Sequence, residues 1–434
     1  MQSLIKGFSK LSREEKVKVL IEQQNLAPEY ENAFQDFLHK EKQHLFNDIS
    51  ENIISNYYLP FSIAPNFLIN DELYMVPMVI EESSVVAAAS KAASFWAKNG
   101  GFKTKIIDTL KNGQIFFNWK GSIQQLENYK HEILELIHSL TDDITFKMRQ
   151  RGGGIVGLEF KSVPNMENTH QALIQFRTAD SMGANFINTC LEAIAPHLVN
   201  FINQHKELKA NEEASVIMSI LSNYTPECLV ECTVKCEIEN LLPYAGNFTP
   251  LEFAQRFKTA VDIAINDPYR AVTHNKGIFN GIDAVVLATG NDFRAIEAGA
   301  QAYASKDKTY SSLTTIQLSE THFEYTLKVP LAMGTVGGLT NTHPLAKAAM
   351  QILKKPSAEQ LMAISAAAGL ANNFGAVASL VTTGIQKGHM KLHLSNVLNA
   401  LDASADEKIL ATKHFKDSVV SYTTVENFLN EQRG

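Results

Sequence analysis

Residues 267–292 bring together side chains that can bind an anion and polarise a carbonyl group. Arg270 and Lys276 supply positive charge, and glycine and asparagine residues surround the lysine. Asn280 adds an amide and Asp292 a carboxylate. An ammonium held beside a carboxylate stabilises the oxyanion that forms when a carbonyl is attacked. Each residue alone is also typical of a helix cap or a solvated charge, but the combination predicts a ligand pocket with a reactive lysine.

The elements that position these residues are predicted from the apolar pattern nearby. Ala284–Ala288 is a short apolar run containing two valines, which is typical of a buried strand. Asn291 or Asp292 is expected to cap a helix that begins at Phe293. The segment is therefore predicted to form a cationic pocket wall beside a buried strand.

Two acidic residues mark a second candidate site. Glu81 and Glu82 follow an apolar strand predicted at Tyr74–Ile80 and precede a helix predicted at Val85–Lys98. Both carboxylates can cap the helix, since negative charge is favoured at a helix N-terminus. Alternatively, one of them is buried with a raised pKa and donates a proton near neutral pH. The residues alone leave both interpretations open.

The composition excludes several classes of function. The chain has 434 residues, enough for two or three domains, and its net charge of -7 leaves no basic excess for binding nucleic acid. The first residues lack the apolar core of a signal peptide. The apolar stretch Leu361–Val381 is interrupted by Asn372 and Asn373. We therefore expect a soluble cytoplasmic protein that binds neither nucleic acid nor membrane.

Three of the four cysteines, Cys228, Cys232 and Cys236, are spaced like metal ligands. The residues around them alternate between apolar and polar, which predicts a strand. In a strand, four residues span about 13 Å, too far for two thiolates to bind one zinc ion. We therefore predict reduced structural thiols and no metal site.

The region between Phe102 and Tyr224 has the pattern of a separate unit. Strands are predicted at 114–119, 157–163 and 170–177, and helices at 122–139 and 184–203. This order resembles a ferredoxin-like unit inserted in a larger domain.

Two segments of this unit are compared as phosphate sites. Gly152–Gly157 matches the pattern G-x-G-x-x-G but precedes a strand, so a Rossmann site is not expected there. Asp180–Thr189 lies where a strand turns into a helix, whose free N–H groups can bind a pyrophosphate. The alternative is an ordinary helix cap formed by Asp180 or Ser181.

Two later segments are also candidates. Gly334–Pro344 is a glycine-rich loop before a helix, either a backbone nest for a ligand or a plain connector. His389 follows Gly388 at a predicted hinge into a C-terminal helical segment. A histidine on such a segment can act as a general acid when the segment closes over a site.

Together, these segments resemble the hydroxymethylglutaryl-coenzyme A reductase family, in its soluble bacterial and archaeal class. The resemblance runs from about Glu51 to His393. It is carried, in chain order, by Glu51–Ile54, Pro77–Ser84, Asp180–Asn185, Asp267–Asp292, Gly334–Pro344 and Gly384–His393. It implies an α+β fold with a large domain, an inserted small dinucleotide-binding domain and a C-terminal helical flap. The corresponding ranges are 1–106 and 226–383 for the large domain, 107–225 for the small domain and 384–434 for the flap.

The resemblance also implies a role for each candidate residue. Glu82 matches the catalytic acid, and Lys276 matches the lysine that polarises the carbonyl. Asp292 matches the aspartate that positions and tunes the lysine, and His389 matches the histidine that protonates the departing coenzyme A thiolate. The residues matched to substrate binding are Ser84, Arg270 and Asn280, and those matched to the dinucleotide motif are Asp180, Met182, Gly183, Ala184 and Asn185.

The activity implied by the resemblance is reduction of hydroxymethylglutaryl-coenzyme A to mevalonate and coenzyme A by two NAD(P)H. The family's active site forms between two subunits, which implies at least a homodimer. Basic residues within 147–151 favour NADPH as the cofactor, whereas Asp142 and Asp143 would favour NADH. The rival interpretations are a coenzyme A thioester hydrolase or lyase that uses Lys276 and Glu82, and a nucleotide-binding regulatory protein with an inactive site.

Overall fold

The computed structural model describes residues 4–209, 213–384, 394–415, 418 and 420–434. Its helices are α1 (Arg13–Gln24), α2 (Glu29–Asp36), α3 (Gln43–Asn47), α4 (Ser83–Ala97), α5 (Ile123–Asn128), α6 (Lys130–Leu140), α7 (Asp142–Arg149), α8 (Ala184–Gln204), α9 (Pro250–Asn266), α10 (Pro268–Ala288), α11 (Phe293–Ala304), α12 (Gly338–Thr342), α13 (Pro344–Ile352), α14 (Ala358–Val381), α15 (394–400), α16 (Ala405–His414) and α17 (Tyr422–Arg433). Its strands are β1 (Phe61–Ile69), β2 (Glu72–Val79), β3 (Lys103–Ile106), β4 (Lys111–Asn118), β5 (Gly154–Ser162), β6 (Thr169–Arg177), β7 (Ser215–Ser222), β8 (Leu229–Glu237), β9 (Thr314–Leu318) and β10 (His322–Pro330). A 3-10 helix covers Ile238–Tyr244.

Helix α14 lies at the centre of the large domain. Its residues are small or apolar on every side, and most are buried, as expected for a helix enclosed by protein. It packs against α4, α10 and an antiparallel sheet of order β3-β8-β10-β9. Among the described helices, it alone is long and apolar enough to cross a membrane, but 89% of its apolar window is buried inside the protein. Burial of this kind is typical of a core helix.

The apolar run Ala284–Ala288 belongs to α10, so the prediction of a buried strand there was wrong. Asp267 caps the helix and Pro268 occupies its first turn, a strong start signal. The run continues the buried face that Ile278 and Ile282 begin at helical spacing. A short apolar run with two valines does not by itself distinguish a strand from a buried helix.

A second sheet, entirely antiparallel, has the order β5-β6-β4-β7. With the helices α5–α7 and α8 between its strands, it has the β-α-β-β-α-β order of a ferredoxin-like unit, which confirms the predicted fold class. The predicted helix at 122–139 is divided into α5 and α6 at Tyr129. Strand β7 was not predicted, because its apolar residues do not alternate and several are exposed at the sheet edge.

The inserted unit has its own hydrophobic core, drawn from residues between Ile115 and Ala214. The domain range of 107–225 remains a prediction. Buried residues between Leu394 and Leu429, among the described ones, form a third, small core. The flap was predicted at 384–434, and its residues 385–393, which include His389, lie outside the described residues.

The cysteine-containing segment is the strand β8, as predicted. All four cysteines are free and buried. Burial raises the pKa of the thiols, to about 11 for Cys228 and to about 12 for Cys190 and Cys236. They are therefore protonated and unreactive near neutral pH.

Candidate active site

A cavity of about 670 Å³ lies between α4, α10 and the C-terminal half of α14. Five of the residues matched to catalysis or substrate binding line it: Glu82, Ser84, Arg270, Lys276 and Asn280. The helix α10 contributes Arg270, Lys276 and Asn280, of which Lys276 and Asn280 are four residues apart and share one helix face. The C-terminal half of α14 forms another wall, with residues between Asn372 and Thr383.

Lys276 and Glu82 form an ion pair across this cavity. Lys276 Nζ lies 3.2 Å from Glu82 Oε2, and Ser84 Oγ donates a hydrogen bond of 2.8 Å to Glu82 Oε1. Glu82 occupies the N-cap position of α4, where negative charge is favoured, but its side chain makes no capping hydrogen bond. The sequence placed Asp292 beside this lysine; in the chain the lysine side chain is 65% exposed and lies beside Glu82 instead.

Arg270 is the second cation of the cavity. Its side chain is about half-buried, and burial lowers the pKa of its guanidinium from the ordinary value. Within the described ranges, no carboxylate forms an ion pair with it. A half-buried cation without a counter-ion is well suited to bind an anionic ligand group.

A buried polar network beneath the cavity was missed by the sequence analysis. His274 follows Arg270 by one turn, and its Nε2 lies 2.7 Å from Thr314 Oγ1. Tyr325 hydrogen-bonds both Thr314 and Asn373, and Asn373 Nδ2 donates to the carbonyl of His274. Burial, with the nearby charge of Arg270, lowers the pKa of His274 to about 3, so its imidazole is neutral. In the sequence, the one signal for this network is that His274 follows Arg270 by four residues. The other members of the network come from distant segments.

Asp292 lies apart from Lys276 within the chain. It caps α11, as predicted, and accepts hydrogen bonds from the backbone N–H groups of Arg294 and Ala295. Lys276 is in the first half of α10, whereas Asp292 follows the helix end at Ala288. At about 1.5 Å per residue, Lys276 and Ala288 are about 18 Å apart along the helix. One chain therefore does not bring this predicted catalytic pair together.

The dinucleotide motif forms the turn between β6 and α8. Gly183 stands at the N-cap with φ 92°, and a Cβ atom there would lie 2.4 Å from Thr178 Cγ2, so the turn requires glycine. No side chain caps α8, which contradicts the alternative of a cap formed by Asp180 or Ser181. The first N–H groups of α8, beginning at Ala184 and Asn185, thus lack the partner that a capping side chain provides.

Asp180 joins this turn to the large domain. Its Oδ1 accepts a hydrogen bond of 2.8 Å from the N–H of Ala358, the first residue of α14. Its carbonyl accepts another, also of 2.8 Å, from the N–H of Thr335. A Cβ atom on Gly334 would lie 2.4 Å from the backbone nitrogen of Met182. The glycine-rich loop therefore packs directly against the turn.

A partly buried carboxyl pair lies one turn beyond Asn280. Asp283 on α10 is hydrogen-bonded to Glu297 on α11, and its Oδ1 is buried without a partner. Burial, together with Glu297, raises the pKa of Asp283 to about 8. This pairing was not predicted, because it depends on how the helices α10 and α11 pack against each other.

Comparison with known proteins places this geometry in a family. A family model described as hydroxymethylglutaryl-coenzyme A reductase matches residues 12–394. The chain therefore belongs to the hydroxymethylglutaryl-coenzyme A reductase family and is an NAD(P)H-dependent oxidoreductase.

Individual relatives extend over almost the whole chain. A 3-hydroxy-3-methylglutaryl-coenzyme A reductase of Archaeoglobus fulgidus is 36% identical over 417 residues, covering 94% of this chain and 89% of the relative. A probable 3-hydroxy-3-methylglutaryl-coenzyme A reductase of Borreliella burgdorferi is 30% identical over 400 residues, covering 92% of this chain and 89% of the relative.

Solved structures of the Streptococcus pneumoniae reductase share the fold. One structure is 34% identical, with a TM-score of 0.72, and the match covers 98% of this chain and 99% of that one. Another structure, of the class II enzyme bound to NADPH in open conformations, is 35% identical with a TM-score of 0.71. The match covers 87% of this chain and 99% of that one.

Proposed function

We propose that this protein reduces hydroxymethylglutaryl-coenzyme A to mevalonate and coenzyme A, a four-electron reaction that oxidises two NAD(P)H. The observation that carries the proposal is the pairing of Lys276 with Glu82 at 3.2 Å in the cavity that also holds Arg270. The pair supplies a cation for an oxyanion and an acid for an alcohol. Arg270 supplies the charge that recognises a dicarboxylic acid thioester.

The cavity fits the two ends of this substrate. The guanidinium of Arg270 pairs with the free carboxylate of the hydroxymethylglutaryl group, and Asn280 and Ser84 bind its polar oxygens. The same cavity continues to Lys91 and Tyr244, where the lysine Nζ lies 4.8 Å from the centre of the tyrosine ring. This extension provides room for the coenzyme A arm.

The cofactor, when bound, supplies a hydride to the thioester carbon and later to the aldehyde carbon. As the first C–H bond forms, the carbonyl oxygen becomes negative, and the ammonium of Lys276 stabilises it. The C–S bond of the resulting hemithioacetal then breaks, and His389 gives a proton to the thiolate so that it does not re-add. At the second reduction, Glu82 and Lys276 supply the proton that converts the aldehyde oxygen to the alcohol.

The turn between β6 and α8 is the proposed dinucleotide site. Residues 180–185 fit a pyrophosphate because α8 has no capping side chain and Gly183 allows the backbone to approach closely. We propose NADPH as the preferred cofactor. The ion pair between Asp142 and Arg149 occupies one residue of each kind and leaves Lys147 and Arg151 as basic residues of this segment, and a class II relative binds NADPH. Assays with each cofactor in turn test this preference.

We further propose that the working unit is at least a homodimer, in which Asp292 of one subunit serves Lys276 of the other. The proposal is supported by the separation of these residues along α10 within one chain. Mixed dimers of Lys276→Ala and Asp292→Ala subunits contain one site with both residues intact. Random mixing of the two inactive variants should therefore recover about a quarter of the parent activity. No recovery in verified mixed dimers would show that each chain uses its own Asp292.

A cytoplasmic location completes the proposal. Four reduced, buried thiols suit a reducing compartment, and the apolar helix α14 is enclosed by the protein. Fractionation of the native host, with the activity following the soluble marker enzymes, tests it.

The decisive experiment measures the absorbance of the reduced nicotinamide when hydroxymethylglutaryl-coenzyme A is added. We expect two cofactors oxidised per thioester consumed, with mevalonate as the product. Release of coenzyme A without cofactor oxidation would instead identify a thioester hydrolase, and cleavage of the acyl chain with the thioester retained would identify a lyase. Cofactor binding with no turnover of any thioester would identify a regulatory binding protein.

The role of His389 has its own test. His389→Ala should slow the overall reduction more than the reduction of added mevaldehyde, because only the overall reaction releases a thiolate. Equal slowing of both reactions would contradict the role of His389 in protonating the thiolate. It would not contradict the proposed reduction itself.

A further inference from the structure

Lys111 is a buried cation outside the catalytic cavity. It begins β4, its exposed fraction is 4%, and burial lowers the pKa of its ammonium. No carboxylate forms an ion pair with it in the described part of the chain. Since burying an ammonium is costly, its remaining interactions must hold it firmly.

The two hydrogen bonds of Lys111 both go to the turn that precedes α8. Its Nζ donates to Thr178 Oγ1 at 2.6 Å and to the carbonyl of Ser181 at 3.1 Å. Thr178 Oγ1 in turn donates to the same carbonyl, and the Ser181 N–H and Oγ both bond the carbonyl of Thr178. The ammonium therefore completes a closed set of bonds inside the turn.

This arrangement fixes the start of α8. In a trans peptide, the Ser181 carbonyl and the Met182 N–H point in opposite directions, so holding the carbonyl towards Lys111 sets the orientation of the next peptide. Gly183 follows immediately and packs against Thr178, the other partner of the lysine. The nearby carboxylate of Asp180 favours the charged form of Lys111.

We propose that Lys111 is a positioning residue for the dinucleotide site, which holds the 178–183 turn so that the first N–H groups of α8 face the pyrophosphate. This inference rests on the proposed function of that turn. At 4% exposure the ammonium does not reach a ligand itself, so it acts through the turn. The catalytic cavity has no part in the interaction.

The test compares Lys111→Met with Lys105→Met, which removes an exposed lysine from β3. For Lys111→Met we expect the Kd and the KM for NADPH to rise about tenfold or more, because a charge-assisted hydrogen bond to the turn is lost. The KM for hydroxymethylglutaryl-coenzyme A and the Kd for coenzyme A should stay within about twofold of the parent values. Lys105→Met should change none of them.

Thr178→Val gives a second, milder probe, since it removes the hydroxyl but keeps the methyl group that Gly183 contacts. It should weaken NADPH binding in the same direction, and its effect should not add to that of Lys111→Met. If Lys111→Met does not fold, Thr178→Val alone decides. Normal NADPH affinity in a folded Lys111→Met protein, or in Thr178→Val when only that variant folds, would overturn the proposal, even if thermal stability falls. Failure of the unmodified protein to oxidise NADPH would refute the proposed function instead.

Discussion

The two lysines that serve the proposed ligands have opposite environments. Lys276 is largely exposed and pairs with the carboxylate of Glu82, whereas the buried Lys111 bonds, among the described residues, a hydroxyl and a carbonyl. A catalytic cation must exchange its partner for an oxyanion during the reaction, so an accessible, charged partner suits it. A positioning cation must never exchange partners, and burial among neutral groups holds it in one place. Replacing Lys276 should therefore reduce turnover, whereas replacing Lys111 should reduce the affinity for NADPH.

The largest expected effect is on Lys276. Lys276→Ala should lower kcat by at least about 10²–10³-fold, because the oxyanion loses its stabilising charge. Substrate should still bind, since Arg270 is unchanged. Steady-state kinetics and calorimetric binding measure the two effects. The control is Lys91→Ala at the far end of the cavity, which should alter the KM for the thioester more than kcat.

Variants of Arg270 test whether this residue serves substrate binding rather than the chemical step. Arg270→Gln should raise the KM for hydroxymethylglutaryl-coenzyme A by about 10–100-fold, because a charge-assisted bond to the substrate carboxylate is lost. Arg270→Lys should recover part of the affinity. Inhibition by free coenzyme A, which lacks the carboxylate, should be unchanged in both variants. A parallel loss of coenzyme A affinity would mean that Arg270 maintains the shape of the cavity instead.

Asp283 extends the comparison to a buried acid. Its pKa is raised from 3.8 to about 8 in the folded protein, so folding retains a proton that the unfolded chain releases. The corresponding stability is present below about pH 4 and is lost as the pH rises towards 8. Asp283→Asn should therefore gain at least about 1 kcal/mol relative to the parent between pH 5 and pH 8. Denaturant unfolding at pH 5 and at pH 8 measures this gain in unfolding free energy. The control Asp307→Asn, at an exposed site, should show no pH-dependent gain.

The smallest expected effect is on Asp180. Asp180→Ala removes the acceptor for the first N–H of α14 and should cost about 1 kcal/mol of stability. Asp180→Asn keeps an acceptor oxygen and should retain most of that stability. Thermal unfolding of both variants measures the difference. Equal losses would show that the carboxylate charge, rather than the hydrogen bond, is what α14 requires.

The sequence predicted those parts of the site that lie on one element or one turn. The residue types around Arg270, Lys276 and Asn280 predicted a cationic pocket wall, but the helix α10 that carries these residues was not predicted, and its C-terminal part was mistaken for a strand. The ion pair with Glu82 was not predicted, because it depends on the packing of α4 against α10. Lys111 was missed for the same reason: its partners lie more than sixty residues away, and a lone lysine at a strand start usually faces water.

The buried state of the native thiols makes the protein suitable for site-directed labelling. With thiol pKa values of about 11 or 12, Cys190, Cys228 and Cys236 stay unreactive towards maleimides at neutral pH, and the fully buried Cys232 is equally protected. A cysteine introduced at an exposed position of each domain would then take up a fluorophore selectively. Distances between the two domains can thus be followed by energy transfer through a complete catalytic cycle, without replacing any native cysteine.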